Sequence, residues 1–308
     1  MSSFNNRIAV FIPSYDRPEI LKFTLPGWLK ASCVGKVFIV AEASSRDRLE
    51  RYRGFIETQR SDKLVYKLAL KKMGSVKARN VLLDLFAEDT CEYAVMADDD
   101  YLLLDEGCLI RMARTLESGN EIGAVGGKVI VIGRRGDPDF FLNLPLNLSD
   151  LLTRLTGYVF LDIQHGPRYS EFLPPFFMLR KEVLSKMVKY DEIFDTPTGF
   201  REESDFQLQI KNLGYKLLYD PRVYVVHLAA GEGGNRPKMN MEERIYWKAR
   251  NHTIFILKWN KPILKRVWYI MLSALILSLY RIWHTLWIFR GVKDGIRDSI
   301  KIKYGLGL

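Results

Sequence analysis

The chain has 308 residues, 48% of them hydrophobic and 27% charged, with a formal charge of +10; that length excludes a coreless or disordered peptide and fits one large domain with an appendage. The charge is uneven, because residues 236–308 hold 15 Lys/Arg against 4 Asp/Glu whereas residues 1–235 hold 31 against 32. Cys33, Cys91 and Cys108 match neither a zinc site nor a disulfide framework, which points to a reducing compartment, and no basic segment followed by a long apolar core opens the chain, which argues against a signal peptide.

The first predicted strand runs from Arg7 to Ile12 and stops at Pro13-Ser14-Tyr15-Asp16-Arg17-Pro18, a turn with proline at both ends. A helix is expected from Glu19 to about Ala31, with Pro26 able to bend or divide it. Lys36 to Ala41 reads as a second buried strand, closed by Glu42, and the serines that follow cap a helix carrying Leu49, Tyr52, Phe55 and Ile56 at helical spacing. Leu64 to Leu70 makes a third strand, and Gly74-Ser75-Val76-Lys77-Ala78-Arg79-Asn80 opens a third helix. The apolar run Tyr93 to Ala97 then ends abruptly in Asp98-Asp99-Asp100. Three alternations of strand and helix predict an α/β domain with a mostly parallel sheet flanked by helices.

A helix near Glu106 to Glu117 and a long strand from Ile122 to Ile132 continue the scheme. Residues 133–157 read as a long functional or mobile loop. A short helix is expected near Lys181, and Thr198 to Asp205 precedes a helix ended by Gly214. Lys216 to Asp220 and Val223 to His227 read as two last extended pieces, and Gly231 to Gly234 as a flexible hinge closing a main domain of residues 1–235. Residues 236–308 form a basic, helical region with five of the six tryptophans. Val267 to Tyr280 carries no charge, which is short of the roughly 20 apolar residues a spanning helix needs. Basic flanks and tryptophans point to an in-plane anchor, with a helical pair buried against the main domain as the alternative.

The carboxylate triplet is the candidate chemical centre. Three carboxylates packed at a strand end repel one another, and a hard divalent cation is the usual remedy; a solvated acidic turn is the competing explanation. On an extended chain Asp98 and Asp100 point the same way and can share a cation, while Asp99 points elsewhere. A cation with so few protein ligands completes its shell with substrate phosphates and water, so a nucleotide diphosphate is the implied ligand. His227, at the end of an apolar run, is either a further ligand or a hydrogen-bonded boundary residue. Glu202, Glu203 and Asp205 open a helix, where carboxylates stabilise the helix dipole in any case and where one of them could act as a general base.

These segments, taken in order from Ile8-Ala9-Val10-Phe11-Ile12-Pro13-Ser14-Tyr15-Asp16-Arg17 through Gly74–Asn80, Asp98-Asp99-Asp100 and Glu202–Phe206 to His227, resemble family 2 of the inverting glycosyltransferases over about 225 residues. The resemblance implies the GT-A nucleotide-diphospho-sugar transferase fold. It implies that Pro13, Tyr15 and Arg17 line the nucleotide pocket with Glu42, which stands where the family usually has aspartate. Lys77, Arg79 and Asn80 fall in the segment near the nucleotide and diphosphate, and Asp99 lies within the donor site. Asp98 and Asp100 match the Asp-x-Asp motif for manganese or magnesium, with Asp100 the direct ligand and Asp98 nearer the ribose and donor sugar. His227 matches a histidine that completes metal or diphosphate binding. Glu203 stands where the family has its catalytic aspartate, with Glu202 and Asp205 as the other candidates. Tyr246-Trp247-Lys248-Ala249-Arg250-Asn251 is similar to a Tyr-x-x-x-Arg-Asn stretch of membrane-associated members.

The implied function is transfer of a sugar from a nucleotide-diphosphate donor to an acceptor hydroxyl with inversion. The acceptor expected is a lipid-linked or cell-surface glycan at the cytoplasmic face of a membrane, which residues 236–308 would contact. One rival, a sugar-phosphate nucleotidyltransferase, calls for a glycine-rich phosphate loop after the first strand, and Pro13 to Pro18 contains no glycine. A second rival, a nucleic-acid-binding protein, is disfavoured because the basic residues of the tail alternate with apolar stretches.

Overall fold

In β1 (Ile8–Tyr15) the residues Ile8, Val10 and Ile12 pack on one side of the sheet and Ala9 and Phe11 on the other, the period of two that buries both faces of a strand. The computed structural model of the protein describes residues 4–132, 148–161, 166–231, 233–234, 239–280 and 282–304. β2 (Val34–Glu42) and β4 (Tyr93–Met96) flank β1, and β3 (Leu64–Ala69) extends the sheet beyond β2, all parallel. β8 (Phe177–Arg180) lies antiparallel between β4 and β6 (Ile122–Val131), and β6 pairs in parallel with β9 (Lys216–His227). Two short strands, β5 (Tyr101–Leu102) and β7 (Arg168–Ser170), pair antiparallel with β9. The two extended pieces expected at 216–220 and 223–227 are one strand whose register shifts opposite Gly127, where any side chain would strike Val223.

Helices cover both faces. α1 (Pro18–Lys30), α2 (Arg46–Thr58) and α4 (Gly107–Glu117) bury Leu25, Trp28, Tyr52, Phe55, Leu109 and Met112 on one side. Each fully buried side chain of this size stabilises the fold by about 1.5–3 kcal/mol. Pro26 lies inside α1 without dividing it, and the Ser45 hydroxyl caps α2 by accepting from the Arg48 amide at 3.3 Å. α3 (Ser75–Phe86), α6 (Lys181–Ser185) and α7 (Glu202–Asn212) cover the other side with Leu82, Phe86, Val183, Phe206 and Ile210.

The tail forms α8 (Met241–Trp259), α9 (Ile263–Tyr280) and α10 (Thr285–Lys303). α8 joins the second core through Ile254 and Phe255. Gly291 and Gly295 of α10 lie so close to α8 that a Cβ at either would strike the backbone at Tyr246 or Arg250. α9 leans on α5 (Leu148–Thr156), where the Trp268 indole donates to the Leu155 carbonyl at 2.8 Å. Among the described residues, no helix is long and apolar enough to cross a membrane. The expected loop at 133–157 lies outside the described residues up to α5, as does the expected domain boundary at 235/236. Gly233 and Gly234, expected in a hinge, take positive φ and pack on Asp16 and Arg17, with the Gly234 amide bonded to the Tyr15 carbonyl at 2.7 Å.

Candidate active site

β4 ends opposite Phe11 of β1, and β1 runs on to Tyr15, so the triplet after β4 lies beside the last residues of β1. β4 stops at Met96, and Asp98 to Asp100 form a turn closed by the Tyr101 amide on the Asp98 carbonyl at 3.2 Å. The extended chain expected through the triplet is therefore absent: Asp99 and Asp100 share Arg17, and Asp98 bonds Arg79 instead. Asp99 is buried, accepting from the Ser14 hydroxyl at 2.7 Å and from Arg17 at 3.1 Å, while the Thr24 hydroxyl donates to its carbonyl at 2.7 Å. Burial pushes the Asp99 carboxyl up to about 7 against the pull of the Arg17 charge. Asp100 is also buried and meets Arg17 at 3.1 Å and His227 Nε2 at 3.0 Å. Burial alone would raise it, but the His227 hydrogen bond and the charges of His227 and Arg17 leave it below the usual carboxylate range.

Asp98 takes a third direction. One guanidinium nitrogen of Arg79, on α3, donates to Asp98 Oδ1 and to Glu203 Oε1, each at 3.0 Å. Arg79 is buried, and burial opposes its charge, yet the two carboxylates raise its pKa overall. The chain beyond β4 and the start of the helix at Glu202–Asn212 are thus joined by a single side chain, whose further partner lies 124 residues away in sequence.

These groups wall a cavity of about 300 Å³ lined by Pro13, Tyr15, Arg17, Arg79, all three aspartates, Glu202, Glu203 and His227, together with Ser75, Tyr101, Thr198 and Gly199. Larger hollows lie elsewhere, such as one of about 660 Å³ bordered by Tyr190, Gln209 and Trp259, which has only Asp191 and Glu192 as acidic groups.

The structure leaves several sequence candidates outside this cavity. The Asn80 side chain is spent on the Tyr190 backbone, donating to its carbonyl at 2.9 Å and accepting from its amide at 2.8 Å. Lys77 lies 3.7 Å from Glu192 at the surface. Asp205, fully buried, binds Lys258 at 2.8 Å and the Trp259 indole at 2.7 Å, facing α8. Glu42 sits one strand over, in register with Tyr15, with its carboxylate accepting from the Met73 amide at 2.7 Å. Burial lifts that carboxyl to about 7, opposed by the Met73 bond and the Lys72 charge.

Ser14, Thr24 and Thr198 went unnoticed in the sequence. Ser14 lies inside the Pro13–Pro18 turn, so its place was signalled though its partner was not. The Thr198 hydroxyl is buried in the cavity wall with no hydrogen-bond partner among the described residues, a group suited to a polar ligand.

Among the described residues no three His, Cys, Asp or Glu side chains form a ready metal cluster. Asp100 and His227 do fit a divalent cation as a pair. One carboxylate oxygen and one imidazole nitrogen converge, the mixed donor set manganese accepts, and most coordination positions stay open for a diphosphate and water.

A central sheet whose parallel strands meet an antiparallel one beside an acidic strand-end cavity is the architecture of the GT-A fold, and this chain has it. The mannosyltransferase PcManGT from Pyrobaculum calidifontis, solved with GDP-Man and Mn2+, shares it with a TM-score of 0.58 at 16% identity over 98% of this chain and 79% of that one. TarS of S. aureus in complex with UDP-GlcNAc gives 0.59 at 16% identity over 96% and 81% of the two chains. GalNAc-T7 with UDP, GalNAc and Mn2+ gives 0.56 at 14% identity, covering 84% of this chain and 52% of that one. No protein-family model matches the sequence, and no curated protein matches it.

Proposed function

We propose that the protein is a glycosyltransferase of the family 2 type, transferring a sugar from a nucleotide-diphosphate donor to an acceptor hydroxyl with inversion, with manganese or magnesium held by Asp100 and His227. One observation carries this reading: Asp98 and Glu203 meet on Arg79, and Asp100 meets His227, on the walls of the same cavity. The likeness to transferases solved with GDP-Man, UDP-GlcNAc and Mn2+ supports it.

In this mechanism Glu203 accepts the proton of the acceptor hydroxyl as that oxygen bonds to the anomeric carbon, and the bond from that carbon to the diphosphate oxygen breaks. A single attack from the far face inverts the centre. Arg79 aims the base, since its guanidinium fixes Glu203 relative to Asp98. Asp98 faces the ribose and donor sugar, and Pro13, Tyr15 and Arg17 border the nucleotide. A bound divalent cation would supply charge neutralisation to the departing diphosphate.

The same reading places the protein at a membrane surface, acting on a lipid-linked or cell-surface glycan. α9 leaves Leu264, Trp268, Met271, Leu275 and Leu279 exposed at spacings that share one helix face, and the turn after it leaves Trp283 exposed. Basic residues lie beside them, including Lys261, Lys265, Arg266 and Arg290. Anionic lipid satisfies both chemistries at once. A nucleic acid would leave the apolar face uncovered.

The deciding experiment is calorimetry with a panel of nucleotide sugars, with and without manganese. Metal-dependent binding of one nucleotide class, lost in Asp100→Ala, is expected, with free nucleoside diphosphate as product. Binding of none, or release of pyrophosphate, would overturn the proposal.

A further inference from the structure

The Tyr246-x-x-x-Arg250-Asn251 stretch has so far no part in the chemistry, although it holds some of the most deeply buried polar side chains in the molecule. Asn251 is 0% exposed. Its amide nitrogen donates to the Thr196 hydroxyl at 2.8 Å and to the Phe200 carbonyl at 3.1 Å, and its oxygen accepts from Arg250 at 3.0 Å. Both recipients belong to the segment that carries Thr198 and Gly199 into the cavity wall and leads into Glu202 and Glu203.

That segment ends in an unusual backbone. Arg201 has φ of 78°, a left-handed conformation uncommon for a residue with a side chain. Such a conformation persists only where the surroundings over-determine it. Here the next residue of α8 completes the clamp, since Arg201 Nε donates to His252 Nδ1 at 3.0 Å. Behind the clamp, α8 is anchored in turn. Arg250 binds Asp298 of α10 at 2.8 Å and reaches the Ile193 carbonyl at 3.4 Å, and the Tyr246 hydroxyl meets Asp294 at 2.9 Å.

We infer that Asn251 is a positioning residue for Glu203, acting through the 196–201 segment, and that Tyr246 and Arg250 fix Asn251 by tying α8 to α10. The inference rests on the proposed role of Glu203 as base. It gives the motif a place in the active site instead of at a membrane. Asn251 touches no substrate; it sets where the base stands, and a displacement of about 1 Å at such a group can cost 10²-fold in rate.

The test combines hydrogen exchange, binding and turnover on the full chain. In Asn251→Ala, amide exchange should quicken across 196–205 while β1 and β4 keep their protection. Affinity for UDP or GDP with manganese should stay within about twofold, and turnover should fall by about 10²-fold. Thr196→Val, which loses one of the two bonds at nearly constant shape, should show the same pattern more weakly, and it decides the matter alone if Asn251→Ala does not fold. Unchanged exchange in 196–205, or undiminished turnover despite faster exchange there, overturns the inference. Should the unaltered protein turn over no nucleotide sugar, the proposed activity fails, while the exchange pattern still decides whether Asn251 holds the segment.

Discussion

α8 and the α9–α10 pair follow each other in the chain, share a basic composition, and treat their side chains in opposite ways. α8 buries Arg250, Asn251, His252 and Thr253, and spends Asn251 and His252 on the segment before Glu203. α9, α10 and the turn between them leave Leu264 at 82%, Trp283 at 92% and Leu286 at 83% exposure. Buried polar groups persist where each has a partner, and large exposed apolar groups mark a surface that meets something else. The difference teaches that the tail is not one appendage: its first helix braces the 196–201 segment behind the cavity, and α9 with the turn after it presents an outward face.

The largest expected effect lies on the inner side of this comparison. Glu203→Gln should lower turnover by about 10²–10⁴-fold while donor affinity by calorimetry holds; full activity would reassign the base to Glu202. Next comes Lys258→Met at the end of α8, which leaves the fully buried Asp205 with only the Trp259 indole. Breaking such a pair costs about 3 kcal/mol, read as a lower urea midpoint. A loss under about 0.5 kcal/mol, the level of an ordinary surface change, would mean that α8 is not tied to α7 as described.

On the outer side, Leu264→Ser and Leu286→Ser should each weaken sedimentation with anionic vesicles by about tenfold. Neither should move the urea midpoint, and equal loss of stability and vesicle binding would show that this face is packed, not presented.

The smallest effect is a pH slope. His252 Nδ1 accepts from Arg201, so Nε2 carries the proton and donates to Ser273 at 2.8 Å. Burial, with the Arg201 charge added, holds the ring well below its usual pKa. The unfolded chain therefore takes up a proton that the folded chain refuses once the pH drops below about 6.5. The stability this group contributes is present above that value and is lost on acidification, by at most about 1.4 kcal/mol per pH unit. The raised carboxyls of Asp99 and Glu42 act with the opposite sign between about 4 and 7, so the measurable quantity is the difference in slope between the unaltered protein and His252→Gln.

Much of the sheet was legible because local periodicity encodes it: β1, β2 and β3 declare themselves as apolar runs with punctuated ends. β8 could not be read, since four residues inserted between β4 and β6 owe their place to distant partners, not to a pattern of their own. The triplet is legible, but its geometry is not, because its partners Ser14, Arg17, Arg79 and His227, of which Arg17 holds Asp99 and Asp100 together while Arg79 takes Asp98, lie far away in sequence. The separation of Glu203 from Asp205 was accessible in principle. Two positions on a helix differ by roughly 200°, so both cannot face one cavity. Asn80 gave no such hint, as nothing near it foretells Tyr190.

The glycine seam between α8 and α10 has a mechanical corollary. Where Gly291 and Gly295 meet Tyr246 and Arg250, the two helix backbones come together with only the Ala249 methyl and the Thr253 side chain beside them, the latter bonded to its own helix. Under the proposed membrane contact, this seam would hold α8, and with it the 196–201 segment that α8 braces, in one fixed position relative to α10.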